Sequence, residues 1–247
     1  MELFYTTREH IDIDAGRIVI DSDEFHHLAR VLRKQKGELI LVTDGNGIRC
    51  EARISEVGKS SLEAEILDHR LVGEPKTGVT VALSMLKNPQ RFEWFLEKST
   101  ELGVSSIIPM ITARTLAQPS KERVQGRLKR WKTIVLSAAR QSKRCYLPAL
   151  SEPLTFAQVS ALQGYDLKLI PYEASEEAPK VECAGKKTLF MIGGEGGFTD
   201  IEVEKAKTAG FCEISLGRTI LRAETAGIFA VALVRTRLLG EERSEWF

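Results

Sequence analysis

Cysteine is sparse in this chain, and Cys50, Cys145, Cys183 and Cys212 include no C-x-x-C pair. That argues against a zinc site or a disulfide framework and for reduced thiols, buried or idle, in a cytoplasmic setting. The histidines His10, His26, His27 and His69 show no metal-ligand spacing, so no metal is expected. No apolar run approaches the roughly 18 residues of a membrane span, and no membrane association is expected. Residues 1–5 lack a basic stretch followed by an apolar core, so no signal peptide is expected either. There is no G-x-S-x-G and no catalytic cysteine context, which disfavours covalent catalysis. Internal repeats and low-complexity tracts are also missing.

What remains is ordinary in bulk and uneven in detail. The 247 residues, 43% hydrophobic and 28% charged, can bury a proper core in one large domain or two small ones. The net charge of +1 hides an asymmetry: residues 114–144 hold ten lysines or arginines against one acid, Glu122. A neutral chain with one basic face suits a polyanion partner, though a solvated helix face would look the same.

Residues 1–70 read as β-rich. Short apolar runs at 18–20 and 38–42 precede Thr43-Asp44-Gly45-Asn46-Gly47, whose Asp-Gly and Asn-Gly pairs favour a tight hairpin. The return strand spans 48–57, and a turn at 58–60 leads into another strand at 62–67. This meander suggests a small barrel or curled sheet. Before it, Phe25, Leu28, Val31 and Leu32 follow helical spacing. Gly73, Pro75 and Gly78 mark a linker over 71–78, and the pattern then changes. From 79 to 247, strands near 79–83, 106–110, 167–170 and 188–192 alternate with helices over 90–102 and 121–142, which predicts a parallel sheet covered on both faces. An acidic loop through Glu173, Glu176 and Glu177 precedes the strand at 188–192.

Two glycine-turned loops dominate the last third. Leu189-Phe190-Met191-Ile192 runs into Gly193-Gly194-Glu195-Gly196-Gly197-Phe198, and Thr199-Asp200-Ile201-Glu202 then has capping-box form. The loop lacks the Gly-Lys-Ser/Thr of a phosphate loop and the spacing of G-x-G-x-x-G. Glu195 in its middle suits a ribose, an amino group or a cation better than a pyrophosphate. The second loop, Gly217-Arg218-Thr219-Ile220-Leu221, leads to Arg222 and Glu224 ahead of an almost wholly apolar helix. Burial against a second copy of the chain would satisfy such a helix. The charged pair is either an internal bridge or functional. Ligands of open α/β sheets bind at the carboxyl ends of the strands, which places the candidate site at these loops.

These two loops together resemble the RsmE family, ribosomal RNA small-subunit methyltransferases of the SPOUT class. The likeness extends along the chain through 26–33, the Glu97-Lys98-Ser99-Thr100-Glu101-Leu102-Gly103-Val104 helix end, Arg130-Trp131, and 141–148. The family usually has Pro at the place of Gly194 and Pro-Arg at Arg218-Thr219. The resemblance implies an α/β protein with a small N-terminal PUA-like RNA-binding β-barrel. It implies a C-terminal parallel-sheet domain with a SPOUT-type trefoil knot, working as a homodimer. The implied donor is S-adenosyl-L-methionine and the implied product N3-methyluridine in 16S rRNA. By the same match, Gly193, Glu195, Gly196, Leu216, Gly217, Leu221, Thr225 and Ala226 would bind the cofactor, with Ile192 beside them and Ile170, Pro171 and Tyr172 as the remaining wall.

Methyl transfer from a sulfonium is a direct displacement, so positioning and charge support dominate. Arg222 is expected to stabilise charge on the uracil carbonyls, and Glu224 to orient Arg222 or take the N3 proton through water. RNA is expected over Arg30 and Arg33 of the first domain and Arg91, Lys98, Arg127, Arg140 and Arg144 of the second, mostly through phosphates. A transfer-RNA methyltransferase of the same class, an RNA-binding assembly factor with a dead pocket, and a nucleotide-dependent oxidoreductase stay open as alternatives.

Overall fold

The computed structural model describes residues 1–115, 121–173, 175 and 182–239, so Glu176 and Glu177 of the acidic loop lie outside the described residues. The chain divides into two compact units: Met1–Glu74 with Ala139–Leu147, and Pro75–Ala138 with Pro148–Phe247.

The first unit is a six-stranded mixed sheet. Its strands are β1 (Leu3–Tyr5), β2 (Ile11–Asp12), β3 (Arg17–Asp21), β4 (Leu39–Thr43), β5 (Ile48–Val57) and β6 (Ser61–Leu71), in the order β1-β4-β5-β6-β3-β2. Only the β1–β4 pairing is parallel. Period-two patterning sets the inner face: Cys50, Ala52 and Ile54 are buried while Glu51, Arg53 and Ser55 face water. Phe4, Ile18, Ile20, Leu28, Ile40, Val42 and Leu62 complete this core. The Asp-Gly and Asn-Gly turn forms as expected, with Gly45 at φ +76° and Gly47 at φ +106°.

The helical spacing at 25–32 becomes a short helix α1 (Ser22–His26) followed by a π-turn over His27–Val31. Leu32 N donates to His27 O at 3.0 Å, and Arg33 ends the segment at φ +55°. The wide turn inserts one residue into the repeat. Leu28 is therefore fully buried, while Val31, expected on the same face, is 60% exposed.

Residues 139–147, the end of the basic helix and the segment after it, group with the first sheet. Tyr5 donates its hydroxyl to Arg144 O, Gly47 N to Cys145 O at 3.0 Å, and Tyr146 its hydroxyl to Val72 O at 2.8 Å. A Cβ on Gly47 would lie 2.3 Å from the Tyr146 hydroxyl, so glycine is required there for packing as well as for its φ.

The second unit is a wholly parallel seven-stranded sheet. In chain order it runs β7 (Gly78–Ser84), α2 (Pro89–Glu101), β8 (Ser106–Ile111), α3 (Lys121–Gln141), β9 (Ala149–Leu150), β10 (Leu154–Thr155) and α4 (Phe156–Ser160). It continues with β11 (Leu167–Pro171), β12 (Lys187–Ile192), α5 (Asp200–Thr208), β13 (Cys212–Ile214) and α6 (Ala223–Leu238). The strand order is β10-β8-β7-β12-β11-β13, with β9 paired to β8. Central strands β7 and β12 are apolar on both faces because both are covered. Phe190 and Ile192 join one core with Phe92, Phe95, Trp131 and Val231, while Leu189 and Met191 join the other with Ile108, Phe198 and Phe211. Asn88 caps α2 by accepting from Gln90 N at 2.9 Å, Pro89 occupies its first position, and Gly103 follows its end at φ +98°. Among the described residues no helix is long and apolar enough to cross a membrane.

Candidate functional site

Three loops converge where the neighbouring parallel strands β12, β11 and β13 end. The glycine loop follows β12 and is pinned by Gly197 N donating to Gly194 O at 3.0 Å, with Gly197 at φ +64°. Crowding explains its glycines: a Cβ on Gly193 would lie 3.0 Å from the Gly197 backbone, and one on Gly196 3.2 Å from Arg114 Cβ. Thr199 then opens α5 with the capping box that the sequence predicts. The second loop follows β13, where Gly217 reaches φ +117° and its N–H meets Ser215 Oγ at 3.3 Å. The third wall is Pro171-Tyr172-Glu173 after β11. Tyr172 N donates to Ile214 O at 3.0 Å and its hydroxyl to Asp200 Oδ1 at 2.9 Å, and that carboxylate pushes the phenol pKa up.

The cleft between these loops encloses about 870 Å³, its solvent-facing mouth included. Of the sequence-derived cofactor residues, Pro171, Tyr172, Ile192, Gly193, Glu195, Leu216, Gly217, Leu221 and Ala226 line it. Ile170, Gly196 and Thr225 do not: Ile170 is fully buried in the sheet, and Gly196 lies under Arg114. The sequence reading missed Glu173, Gly194, Gly197, Phe198, Ser215, Arg218, Thr219, Ile220 and Ala223 as lining residues. Their signal was contiguity, since each lies within two residues of one already chosen. Glu195 Oε1 is engaged, accepting from Lys87 N at 3.1 Å.

The expected Arg222–Glu224 partnership is replaced by another. Arg222 is exposed at the N-cap of α6. Glu224 is buried, and its Oε1 lies 3.5 Å from Arg91 Nε on α2, while Oε2 is buried with no hydrogen-bond partner. Glu224 stands where α6 packs closely on α2: a Cβ on Gly227 would sit 2.7 Å from the Phe95 ring.

The basic candidates separate as well. Arg30 and Arg33 are exposed and Arg127 half-buried. Arg91 is engaged by Glu224, Lys98 by Glu97 and Glu101 at 2.8 Å each, and Arg140 by Glu24 at 3.0 Å. Arg144 is corrected outright: it is 7% exposed within the first unit rather than displayed on a basic surface. A side chain that the packing of 139–147 draws inward cannot present its charge to phosphates. Arg130, not among the candidates, forms a two-pronged pair with Glu93 at 2.5 and 2.7 Å.

Residues 73–235 match the model of an RNA methyltransferase domain family, and residues 20–67 match that of an RNA methyltransferase PUA domain. A Synechocystis protein named ribosomal RNA small subunit methyltransferase E is 34% identical over 230 residues, covering 90% of this chain and 73% of the relative. A crystal structure of the Neisseria gonorrhoeae protein of that name, bound to S-adenosyl methionine, is 31% identical. It superposes with a TM-score of 0.85 over 96% of this chain and 98% of that one. A Legionella pneumophila protein solved with bound S-adenosylmethionine gives a TM-score of 0.86 at 28% identity, covering 95% and 97%.

Proposed function

This chain belongs to the ribosomal RNA small subunit methyltransferase E family, and from that premise we propose that it methylates N3 of a uridine in 16S rRNA with S-adenosyl-L-methionine as donor. The observation that carries the reading is the convergence of three loops at the ends of β11, β12 and β13, two of them shaped by glycines in crowded or positive-φ positions.

The residues present fit the donor. Backbone groups of Gly193, Leu216, Gly217 and Leu221 offer hydrogen bonds to a nucleoside without side-chain crowding, and the carboxylates of Glu173 and Glu195 at the cleft suit a cationic ligand. Pro171, Tyr172, Ile192 and Ala226 give the apolar walls, with Ile170, Gly196 and Thr225 supporting from behind. When bound, S-adenosylmethionine supplies an activated methyl group on sulfur. The protein must then hold the uracil in line with that methyl group, support charge on the uracil carbonyls and accept the N3 proton. We assign the charge support to Arg222, which adjoins the lining residues Leu221 and Ala223. The proton goes to Glu224, whose Oε2 is unpartnered, relayed by water.

RNA would meet Arg30 and Arg33 on the first unit and Arg127 on the second directly, and Arg91, Lys98 and Arg140 after exchange of their acidic partners. The strand order supports a trefoil knot, because β12 inserts between β7 and β11 before the chain leaves for β13. Exposed Phe229 on α6 and Trp94 on α2 support a homodimer. A cytoplasmic enzyme with domains at 1–70 and 79–247 joined by a linker at 71–78 completes the proposal, with the segment 139–147 given over to the first unit.

The test is transfer of labelled methyl to small ribosomal subunits lacking the modification, with naked 16S rRNA and transfer RNA in parallel, followed by nucleoside analysis. N3-methyluridine in the subunit or rRNA sample is the expected product. Label in transfer RNA alone, or no transfer at all, would refute the reading.

A further inference from the structure

Glu202 does more than cap its helix. Its Oε2 accepts from Thr199 N at 3.0 Å and Thr199 Oγ1 at 3.1 Å, which completes the capping box. Its Oε1 accepts from Ala113 N at 2.8 Å, far away in sequence on the loop after β8. The residue is 6% exposed, and among the described residues no cation pairs with it. A buried carboxylate without a cation is costly unless donors satisfy it, and three charge-assisted hydrogen bonds do so here.

The same loop also holds the glycine loop, directly through Arg114 and indirectly through Ser84. Arg114 Nη1 donates to Gly196 O at 2.6 Å, and the stem of Arg114 covers Gly196 so closely that a Cβ there would clash at 3.2 Å. Thr112 N donates to Thr115 Oγ1 at 2.8 Å, closing the loop, and both threonine hydroxyls reach Ser84 Oγ, at 3.2 and 3.0 Å. Gly194 rests on that cluster, with its Cβ position 3.1 Å from Ser84 Oγ. Neither Ala113, Arg114 nor Glu202 lines the cleft. They grip the loop that does.

We propose that Glu202, acting through Ala113 and Arg114, is a positioning residue that holds the glycine loop in its donor-binding form. The inference rests on the methyl-donor reading above. Its signature is a loss of donor affinity with little change in turnover, because the network lies behind the loop and includes no residue assigned to the acceptor.

The experiment measures S-adenosylhomocysteine binding by calorimetry, and kcat and KM for S-adenosylmethionine on small subunits, with thermal melts alongside. Glu202→Gln exchanges one accepting oxygen for an amino group that faces an N–H donor. Its dissociation constant and KM should rise about tenfold, with kcat per folded molecule within about twofold of wild type. Arg114 is exposed, so Arg114→Ala should melt like wild type and still weaken binding about threefold, with partial recovery in Arg114→Lys. Arg114→Ala decides the matter if Glu202→Gln does not fold. Wild-type affinity in the variants, or kcat and KM changing only with the folded fraction, would overturn the inference alone. A wild-type chain that does not bind S-adenosylhomocysteine would overturn the cofactor reading and this inference with it.

Discussion

Arg91 Nε stands 3.5 Å from Oε1 of Glu224, joining the first turn of α2 to the first turn of α6 beside the second cofactor loop. The partner nearer in sequence, Arg222, is exposed and unconnected to it. Glu224 side-chain exposure is 6% against 33% for Arg91, so the pair is asymmetric: one member is buried and the other half in water. Removing the arginine should therefore hurt more than a surface bridge would, since it strands a buried carboxylate whose second oxygen already lacks a partner. Arg91→Ala is expected to cost about 2 kcal/mol, below the 3–5 of a fully buried pair because water screens the guanidinium. A double-mutant cycle with Glu224→Ala, read by urea unfolding, should give a coupling near 1 kcal/mol. A coupling of zero would mean that the two side chains are neighbours only.

Close packing of the same two helices yields a second expectation. Alanine is ordinarily better than glycine inside a helix by about 1 kcal/mol. At Gly227 the added methyl would lie 2.7 and 2.9 Å from two Phe95 ring atoms, which are fully buried and have little room to yield. Overpacking of this kind costs about 1–3 kcal/mol and should outweigh the propensity gain. Gly227→Ala is thus expected to lower the melting temperature, and Gly227→Ala with Phe95→Leu to recover part of the loss. A more stable single variant would show that α6 can shift away from α2.

These relationships mark where the sequence stopped being legible. Periodicity located β5, β7, β8, β12, α2 and the capping box at Thr199, because each has a long apolar pattern or a local hydrogen-bond signature. It missed β1, β2, β9, β10 and α4, which are two to five residues long and owe their form to neighbours distant in the chain. The helical spacing near Leu28 was real, but its π-turn leaves no mark in residue type. Basic residues were legible as a cluster and not as individuals. Exposed Arg30 and buried Arg144 look alike in sequence, and only the packing of 139–147 on the first sheet tells them apart. The cleft was found through its glycines, whereas Arg91 as the partner of Glu224, and Glu202 as a bridge to Ala113, depend on contacts that no short-range pattern encodes.

Alkaline pH should weaken the first unit. Burial is the main force raising the Tyr5 phenol above its ordinary 10.0, and burial likewise pushes the Cys50 thiol from 9.0 up to about 11. In both cases the unfolded chain loses its proton first. Between the unfolded and folded values the native state binds more protons, so stability is full below about pH 9 and falls as pH rises. Unfolding midpoints measured from pH 8 to 11 should decline. Tyr5→Phe should flatten part of that decline while costing about 1 kcal/mol at pH 7 through its lost hydrogen bond to Arg144 O. An identical pH profile in Tyr5→Phe would assign the decline to other groups.

Arg222 gives the sharpest test of the chemistry assigned to the second loop. It is exposed and caps α6 through its backbone alone, its carbonyl accepting from Ala226 N at 2.8 Å, so its side chain supports no described fold contact. Arg222→Ala should accordingly melt like wild type and bind S-adenosylhomocysteine normally. If its guanidinium supports charge on the uracil carbonyls only as N3 is deprotonated and attacked, the loss falls on kcat, by about a hundredfold or more. Arg222→Lys keeps the charge without the planar fork of donors and should recover only part of the rate. Raising the RNA concentration would not rescue either variant, which separates this role from simple phosphate binding, where KM would rise and saturating RNA would restore turnover. Full turnover of Arg222→Ala with normal RNA binding would remove Arg222 from the mechanism and leave the charge support to Arg91, the other arginine beside Glu224.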